Sequence, residues 1–106
     1  MDLKLTKEAD KLLAVMYKEY LEKRKHGLSK SDSREFEAYY FDKIAPFSSW
    51  PAGDLSDSMN ELRENGLIKM YIDGSCSLNE IAIATAEDRL KDSVVAGGSY
   101  LAQFIP

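Results

Sequence analysis

A broad apolar stripe at helical spacing runs through the first quarter of the sequence. Thr6 is placed to cap a helix whose first turn carries Glu8 and Asp10, and negative charge suits that end of the helix dipole. The last turn is basic, and Gly27 follows as a terminating residue. The pattern predicts a helix over residues 7–26. Its buried face would consist of Ala9, Leu12, Leu13, Met16, Tyr17, Tyr20 and Leu21.

A second helix is predicted over residues 30–45. Ser29 and Asp32 have the spacing of a capping box, and Pro46 ends the segment. Its apolar face would be formed by Phe36, Tyr40 and Ile44, which are four residues apart, and widened by Tyr39 and Phe41.

A third helix is predicted over residues 51–65. Pro51 suits its first position, and Asn65 with Gly66 closes it. The face that it buries would contain Leu55, Met59 and Leu62.

After Gly66 the apolar pattern changes from helical to alternating. Asp73 and Gly74 are typical of a two-residue hairpin turn, so strands are expected over residues 67–72 and 76–83. Together the two strands would form a β-hairpin wing behind the third helix.

A C-terminal helix is predicted over residues 86–104, capped by Thr85. Gly97 and Gly98 interrupt its pattern, each costing about 1 kcal/mol relative to alanine if helical. The order of elements predicts a mainly α chain with a small β-hairpin, of the α+β class. We interpret residues 1–106 as one winged helix-turn-helix domain with three helices, a two-stranded wing and a C-terminal helix.

Composition argues against an enzyme and against a membrane protein. The single cysteine, Cys76, excludes an internal disulfide and suits the cytoplasm. The first residues lack the apolar run of a signal peptide, and no stretch approaches the roughly 18 apolar residues of a membrane span. His26 is far from Cys76 along the chain, with no nucleophile motif around either residue. We therefore expect no catalytic residues, no cofactor and no metal.

The charge distribution opposes the usual use of a winged helix. Fourteen Lys and Arg residues against eighteen Asp and Glu give a net charge of −4, which disfavours binding to phosphate backbones. The third helix carries Arg63 against four carboxylates, which share one face: Asp54, Asp57, Glu61 and Glu64. The residues that could still contact duplex DNA are Lys25, Lys30, Arg34, Ser56, Asn60, Arg63 and Lys69.

Most of the basic residues lie near the junction of the first two helices. This basic shoulder consists of Lys18, Lys23, Arg24, Lys25, His26, Lys30 and Arg34. It could face phosphates, but its members at the end of the first helix are equally explained as partners of the negative end of the helix dipole.

A protein interface is the other prediction. The second helix has more aromatic residues than one face can bury, and tyrosine is favoured at interfaces. The candidate interface residues are Tyr39, Trp50, Val94, Leu101 and Phe104. The apolar C-terminal helix predicts a homodimer formed through it; alternatively, it folds back across the first helix with a kink at the glycines.

Several segments of the sequence are shared with one known family. They are densest over residues 9–31 and continue to the strand–helix junction at 81–88, and the shared residues between them are Phe47, Trp50, Asp54, Asp57, Glu61, Leu62, Gly66 and Leu67. On these residues the chain resembles the YjcQ-like family of small bacterial and prophage winged-helix proteins. The segment 95–99 departs from the helix-forming run that the family has there. The resemblance implies the fold and no activity.

Two functions follow as hypotheses. The first is a transcriptional-regulator-like module that binds DNA weakly or with a partner's help. The second is a protein-interaction or dimerisation module that has lost DNA binding because its recognition helix is acidic.

Overall fold

A computed structural model describes residues 4–97 of the chain, with side chains as far as Arg89. Within this range the chain is mainly helical with one small antiparallel sheet, which is compatible with the α+β class. The helices are α1 (Lys7–Lys25), α2 (Lys30–Ser33), α3 (Asp54–Glu64) and α4 (Glu80–Gly97). The strands are β1 (Glu35–Phe36), β2 (Ile68–Met70) and β3 (Cys76–Leu78). No helix in the described range is long and apolar enough to cross a membrane.

The first helix confirms the sequence prediction at both ends. The Thr6 hydroxyl accepts a hydrogen bond from the Ala9 N–H at 3.3 Å. At the other end Gly27 adopts a φ of 93° and its N–H donates to the Arg24 carbonyl at 3.0 Å. This left-handed conformation is open to glycine at low cost and terminates the helix.

The prediction of a long second helix is wrong. Helix α2 ends at Ser33, and Phe36 lies instead in β1, opposite Cys76 of β3. Tyr39 has a φ of 62°, which no α-helix accommodates. The chain then continues through two 3₁₀ turns, Phe41–Lys43 and Phe47–Ser49. Phe36, Phe41 and Phe47 still reach the core, but through a strand and two turns instead of one helical face.

The sheet has three strands, not two, in the order β1-β3-β2. Strand β1 comes from the segment predicted as helix, because pairing with β3 satisfies its backbone and buries Phe36. The predicted strand over 67–72 is shorter, at Ile68–Met70. Its hairpin turn has three residues instead of two: the Tyr71 N–H donates to the Ser75 carbonyl at 2.9 Å, and Gly74, with a φ of 91°, occupies the left-handed position.

Helices α3 and α4 begin at other residues than predicted. Helix α3 begins at Asp54 instead of residue 51, because Gly53 before it has a left-handed φ of 92°. The return strand ends at Leu78 and α4 begins at Glu80, not at residue 86. The predicted strand over 76–83 failed because helical spacing buries Ala82 and Ala86, one turn apart. The predicted continuation through Gly98 to residue 104 lies outside the described residues.

The core lies along α1, which packs against α2, α3 and α4. It is closed by the three-stranded sheet and by the aromatic side chains of the 3₁₀ turns. The most deeply buried large side chains are Leu12, Leu13, Met16, Phe41, Leu62, Leu67 and Leu78.

Candidate functional site

Two grooves meet at Arg34, and together they hold three of the residues predicted to contact nucleic acid. The sheet groove has a volume of about 300 Å³ and is lined by Ser31, Arg34, Glu35, Lys69, Tyr71, Ser77, Leu78 and Asn79. The α4 groove has a volume of about 400 Å³ and is lined by Lys30, Arg34, Glu80, Ile81, Ile83, Ala84 and Glu87.

The pairing of β2 with β3 builds the sheet groove. Lys69 lies opposite Ser77, and strand periodicity brings Tyr71 to the same face of the sheet. The Tyr71 and Ser77 hydroxyl oxygens are 3.3 Å apart, and the Lys69 Nζ lies 5.5 Å from the centre of the Tyr71 ring. The groove therefore presents two cations and several hydroxyls beside an aromatic ring.

Arg34 joins the two grooves and is held from two sides. Its backbone carbonyl accepts a hydrogen bond from the Leu78 N–H at 2.9 Å, and its Nη1 lies 3.9 Å from Oε1 of Glu80. Acidic residues accompany the cations in both grooves: Glu35 in the sheet groove, Glu80 and Glu87 in the α4 groove. Neither groove is a strongly basic track for a phosphate backbone.

Much of the basic shoulder has structural partners. The Lys23 ammonium donates to the Glu35 carbonyl and lies 4.1 Å from the centre of the Phe36 ring, and burial lowers the Lys23 pKa. The Arg24 guanidinium donates to the Leu28 carbonyl at 3.0 Å, and Nδ1 of His26 is 2.8 Å from the Glu22 carbonyl oxygen. Lys25 and Lys30 are exposed. Of the three residues with structural partners, only His26 contacts a carbonyl at the end of α1, whereas Lys23 and Arg24 contact carbonyls beyond the helix.

The four carboxylates of α3 that were expected on one exposed face differ in exposure and in partners. Both oxygens of Glu61 are occupied: they accept from the Thr6 N–H and hydroxyl, each at 2.7 Å, which ties α3 to the start of α1. The exposed side chains of the helix are Ser56, Asp57, Arg63 and Glu64, and Asn60 is half-buried. Its outward face therefore carries two acids and one cation.

A third, smaller pocket lies beside Tyr40, at the C-terminal half of α1. The Tyr40 hydroxyl donates to Oε1 of Glu19 at 2.7 Å. Burial and this hydrogen bond raise the Tyr40 pKa to about 12.

Burial also raises the pKa of the Cys76 thiol, to about 11, so this cysteine is protonated and inert at neutral pH. Among the side chains that the structure describes, those of residues 4–89, no group of three or more His, Cys, Asp or Glu suited to a metal ion occurs.

The residues predicted as a protein interface have different positions. Tyr39 is 68% exposed, whereas Trp50 is half-buried with its ring edge-on to Phe47, at 4.8 Å between centroids. Val94 belongs to α4, but its side chain lies outside the described residues, as do Leu101 and Phe104 entirely. Dimerisation through the C-terminal helix stays a prediction.

An exposed apolar surface at the hairpin was missed from the sequence. It consists of Met70, Tyr71 and Ile72, and we call it the wing patch; Met70 is 39% exposed, Tyr71 40%, and Ile72 is fully exposed. Gly74 lies against Ala38, which brings the loop that carries Tyr39 close to the hairpin. The signal was present, because an isoleucine directly before Asp-Gly places an apolar side chain in a turn.

A scan against protein-family models finds no match, and neither a curated protein nor a solved structure matches this chain.

Proposed function

We propose that this chain is a winged-helix domain that acts as a protein-interaction module. The order of elements supports the fold assignment: α1, α2, β1, the two 3₁₀ turns, α3, β2, the hairpin, β3 and α4, with β3 in the middle of the sheet. In this arrangement α3 takes the position of the recognition helix and the hairpin that of the wing. The resemblance of residues 9–31 to the YjcQ-like family supports the same assignment.

The observation that carries the functional proposal is the outward face of α3. A helix that reads the major groove normally offers Arg, Lys, Asn or Gln to base edges and cations to phosphates. This face offers Arg63 and the half-buried Asn60 beside the exposed carboxylates of Asp57 and Glu64. Each carboxylate near a phosphate is repelled by roughly 1 kcal/mol at about 4 Å even in bulk water.

The wing patch is a second, independent observation that favours protein binding. A wing that contacts DNA needs cations, but this hairpin exposes Met70, Tyr71 and Ile72 beside a single cation, Lys69. Exposed apolar groups that lie together on a small domain mark contact surfaces for other proteins. The surface chemistry of the wing therefore matches that of α3 in disfavouring DNA.

DNA binding is the second candidate, because Arg34 and Lys69 line one groove with the Ser31 and Ser77 hydroxyls. Lys30 adjoins them across Arg34. Such groups contact phosphate oxygens in protein–DNA complexes, with no information about sequence. This candidate predicts weak binding that depends on salt and not on base sequence.

A titration of mixed-sequence duplex DNA between about 50 and 200 mM salt separates the two functions. The interaction function predicts no saturable binding at the lowest salt. Micromolar affinity that falls steeply with salt would overturn it. In that case Arg34→Gln and Lys69→Gln should weaken binding, whereas the matched surface variant Lys43→Gln, in the first 3₁₀ turn, should not.

A further inference from the structure

We infer that the free edge of β2 pairs antiparallel with β2 of a second copy of this chain, around a two-fold axis at Met70. The inference rests on the proposed interaction function and names the partner. Within the described residues β2 is an edge strand, because the sheet order is β1-β3-β2. The pairing would join two three-stranded sheets into one of six strands.

Hydrogen bonds already made by β2 show which backbone groups are available. The Tyr71 N–H donates to Ser75, and the Leu67 carbonyl accepts from Asn79, so these two residues face β3. In an antiparallel ladder the direction alternates from residue to residue, so the N–H and C=O groups of Ile68 and Met70 point away from β3. A row of such groups spaced by two residues matches another extended strand.

Charge selects the register of that pairing. With the axis at Lys69, the two lysines would lie directly opposite each other, which is unfavourable. An axis at Ile68 would place Lys69 opposite the buried Leu67 of the second copy, which offers the ammonium no partner. The axis at Met70 places Lys69 opposite Tyr71 of the second copy, so the lysine meets an aromatic ring.

The same register covers part of the wing patch. Met70 lies at the axis and Tyr71 lies opposite Lys69 of the second copy, whereas Ile72, the first residue of the hairpin turn, lies beyond the paired residues. Within one copy the Lys69 ammonium already lies 5.5 Å from the Tyr71 ring centre, which shows that these two groups pack together. A short strand and a lysine often protect an edge in monomeric proteins, so the oligomeric state decides between protection and pairing.

Sedimentation equilibrium of the full chain tests the pairing. We expect a mass that rises with concentration to twice the 12.0 kDa of one chain. Met70→Pro removes an outward N–H and leaves the bonds to β3 intact, so it should give the monomer mass. Met70→Ala is the matched control, because it shortens the side chain but retains the N–H, and it should still dimerise. A wild-type chain that is monomeric at every concentration overturns the pairing.

Disulfide cross-linking tests the register independently of the proline variant. It is done with Cys76→Ala, because Met70 is the register partner of Cys76 within the chain. Met70→Cys should cross-link two copies, since hydrogen-bonded pairs have Cα atoms about 5.5 Å apart, within disulfide range. Ile72→Cys, although more exposed, should not, because it lies in the hairpin turn, beyond the paired residues. Equal cross-linking at both positions overturns the register.

The outcomes keep the two proposals apart. A dimer that survives Met70→Pro and does not cross-link through residue 70 overturns β2 pairing and leaves the interaction function standing, with another surface such as the C-terminal helix as its site. The interaction function itself fails on salt-dependent DNA binding, whatever the oligomeric state.

Discussion

Two regions of this domain, the contact between α1 and α3 and the hairpin between β2 and β3, differ in how many apolar and hydrogen-bonding groups they leave exposed. Where α1 meets α3, Leu12 and Leu62 are fully buried, and the polar groups of Thr6 and Glu61 bind each other. At the hairpin, Ile72 is fully exposed and the β2 edge carries outward backbone groups. Burial of apolar surface stabilises the fold, so we expect the contact between α1 and α3 to hold the domain together. We expect the hairpin to contribute little to stability and to be available for binding.

The largest expected effect contrasts one buried and one exposed apolar residue. Leu62→Ala should lower the free energy of unfolding by about 3 kcal/mol, because it leaves a cavity between α3 and α1. Ile72→Ala should change it by less than about 0.5 kcal/mol. Urea denaturation at a protein concentration that keeps the chain monomeric measures both. Comparable losses would show that the hairpin side chains stabilise the fold as much as the contact between α1 and α3 does.

Gly74 tests how firmly the hairpin is held against the loop at Ala38. Its φ is 91°, and an added Cβ would lie 3.3 Å from the Cβ of Ala38. Gly27 has a similar φ of 93° but open space around it, so it is the matched control. Gly27→Ala should cost about 1 kcal/mol from backbone strain, and Gly74→Ala should cost more because Ala38 must move. Equal thermal destabilisation would show that the loop yields freely.

The Thr6–Glu61 contact is expected to contribute about 1 kcal/mol, as intramolecular hydrogen bonds typically do. Glu61→Gln retains one acceptor but loses the other oxygen, so the free energy of unfolding should fall by about that amount or less. Glu64→Gln, exposed on the same helix, should have no measurable effect. If the two variants have the same free energy of unfolding, apolar packing alone holds α1 against α3.

Alkaline pH should weaken the domain without any substitution. The Tyr40 pKa is raised from 10.0 to about 12, so the folded state retains a proton that the unfolded state loses. Its stabilising contribution is complete below pH 10 and is lost as the pH rises through about 12. Denaturation midpoints measured over this window should fall less steeply for Tyr40→Phe than for the wild type. Cys76, with its pKa raised from 9.0 to about 11, acts in the same direction in both proteins.

Elements whose signals are local could be predicted from the sequence, and the others could not. Helix α1 has its cap at Thr6, its apolar stripe and its terminating Gly27 within one continuous segment. The four-residue spacing of Phe36 and Tyr40 fits a helix equally well as it fits the strand and turns that form. What decides is the pairing of Phe36 with Cys76, a contact between distant parts of the chain.

The start of α4 illustrates the same limit. Ile81 and Ile83 are β-branched and alternate with smaller residues, which favours a strand. The helix forms because Ala82 and Ala86 fit closely against the core. Periodicity alone does not separate these outcomes in a short apolar run.

The candidate site was predicted as separate residues and not as an arrangement. Arg34 and Lys69 were each singled out for their charge, but they share a groove only because β3 lies between β1 and β2. That strand order requires β1, which the sequence did not reveal. Ile72 could have been found, since it stands beside the turn residues that were recognised.

The contact between Thr6 and Glu61 has a consequence for dynamics. First-turn amides of a helix normally exchange with solvent through local fraying, without unfolding of the rest of the protein. Here the Thr6 amide proton is held by a carboxylate 55 residues further along the chain. Its exchange therefore first requires the contact with the Glu61 carboxylate to break, so this amide at the very start of a helix should exchange more slowly than the amides at most helix ends.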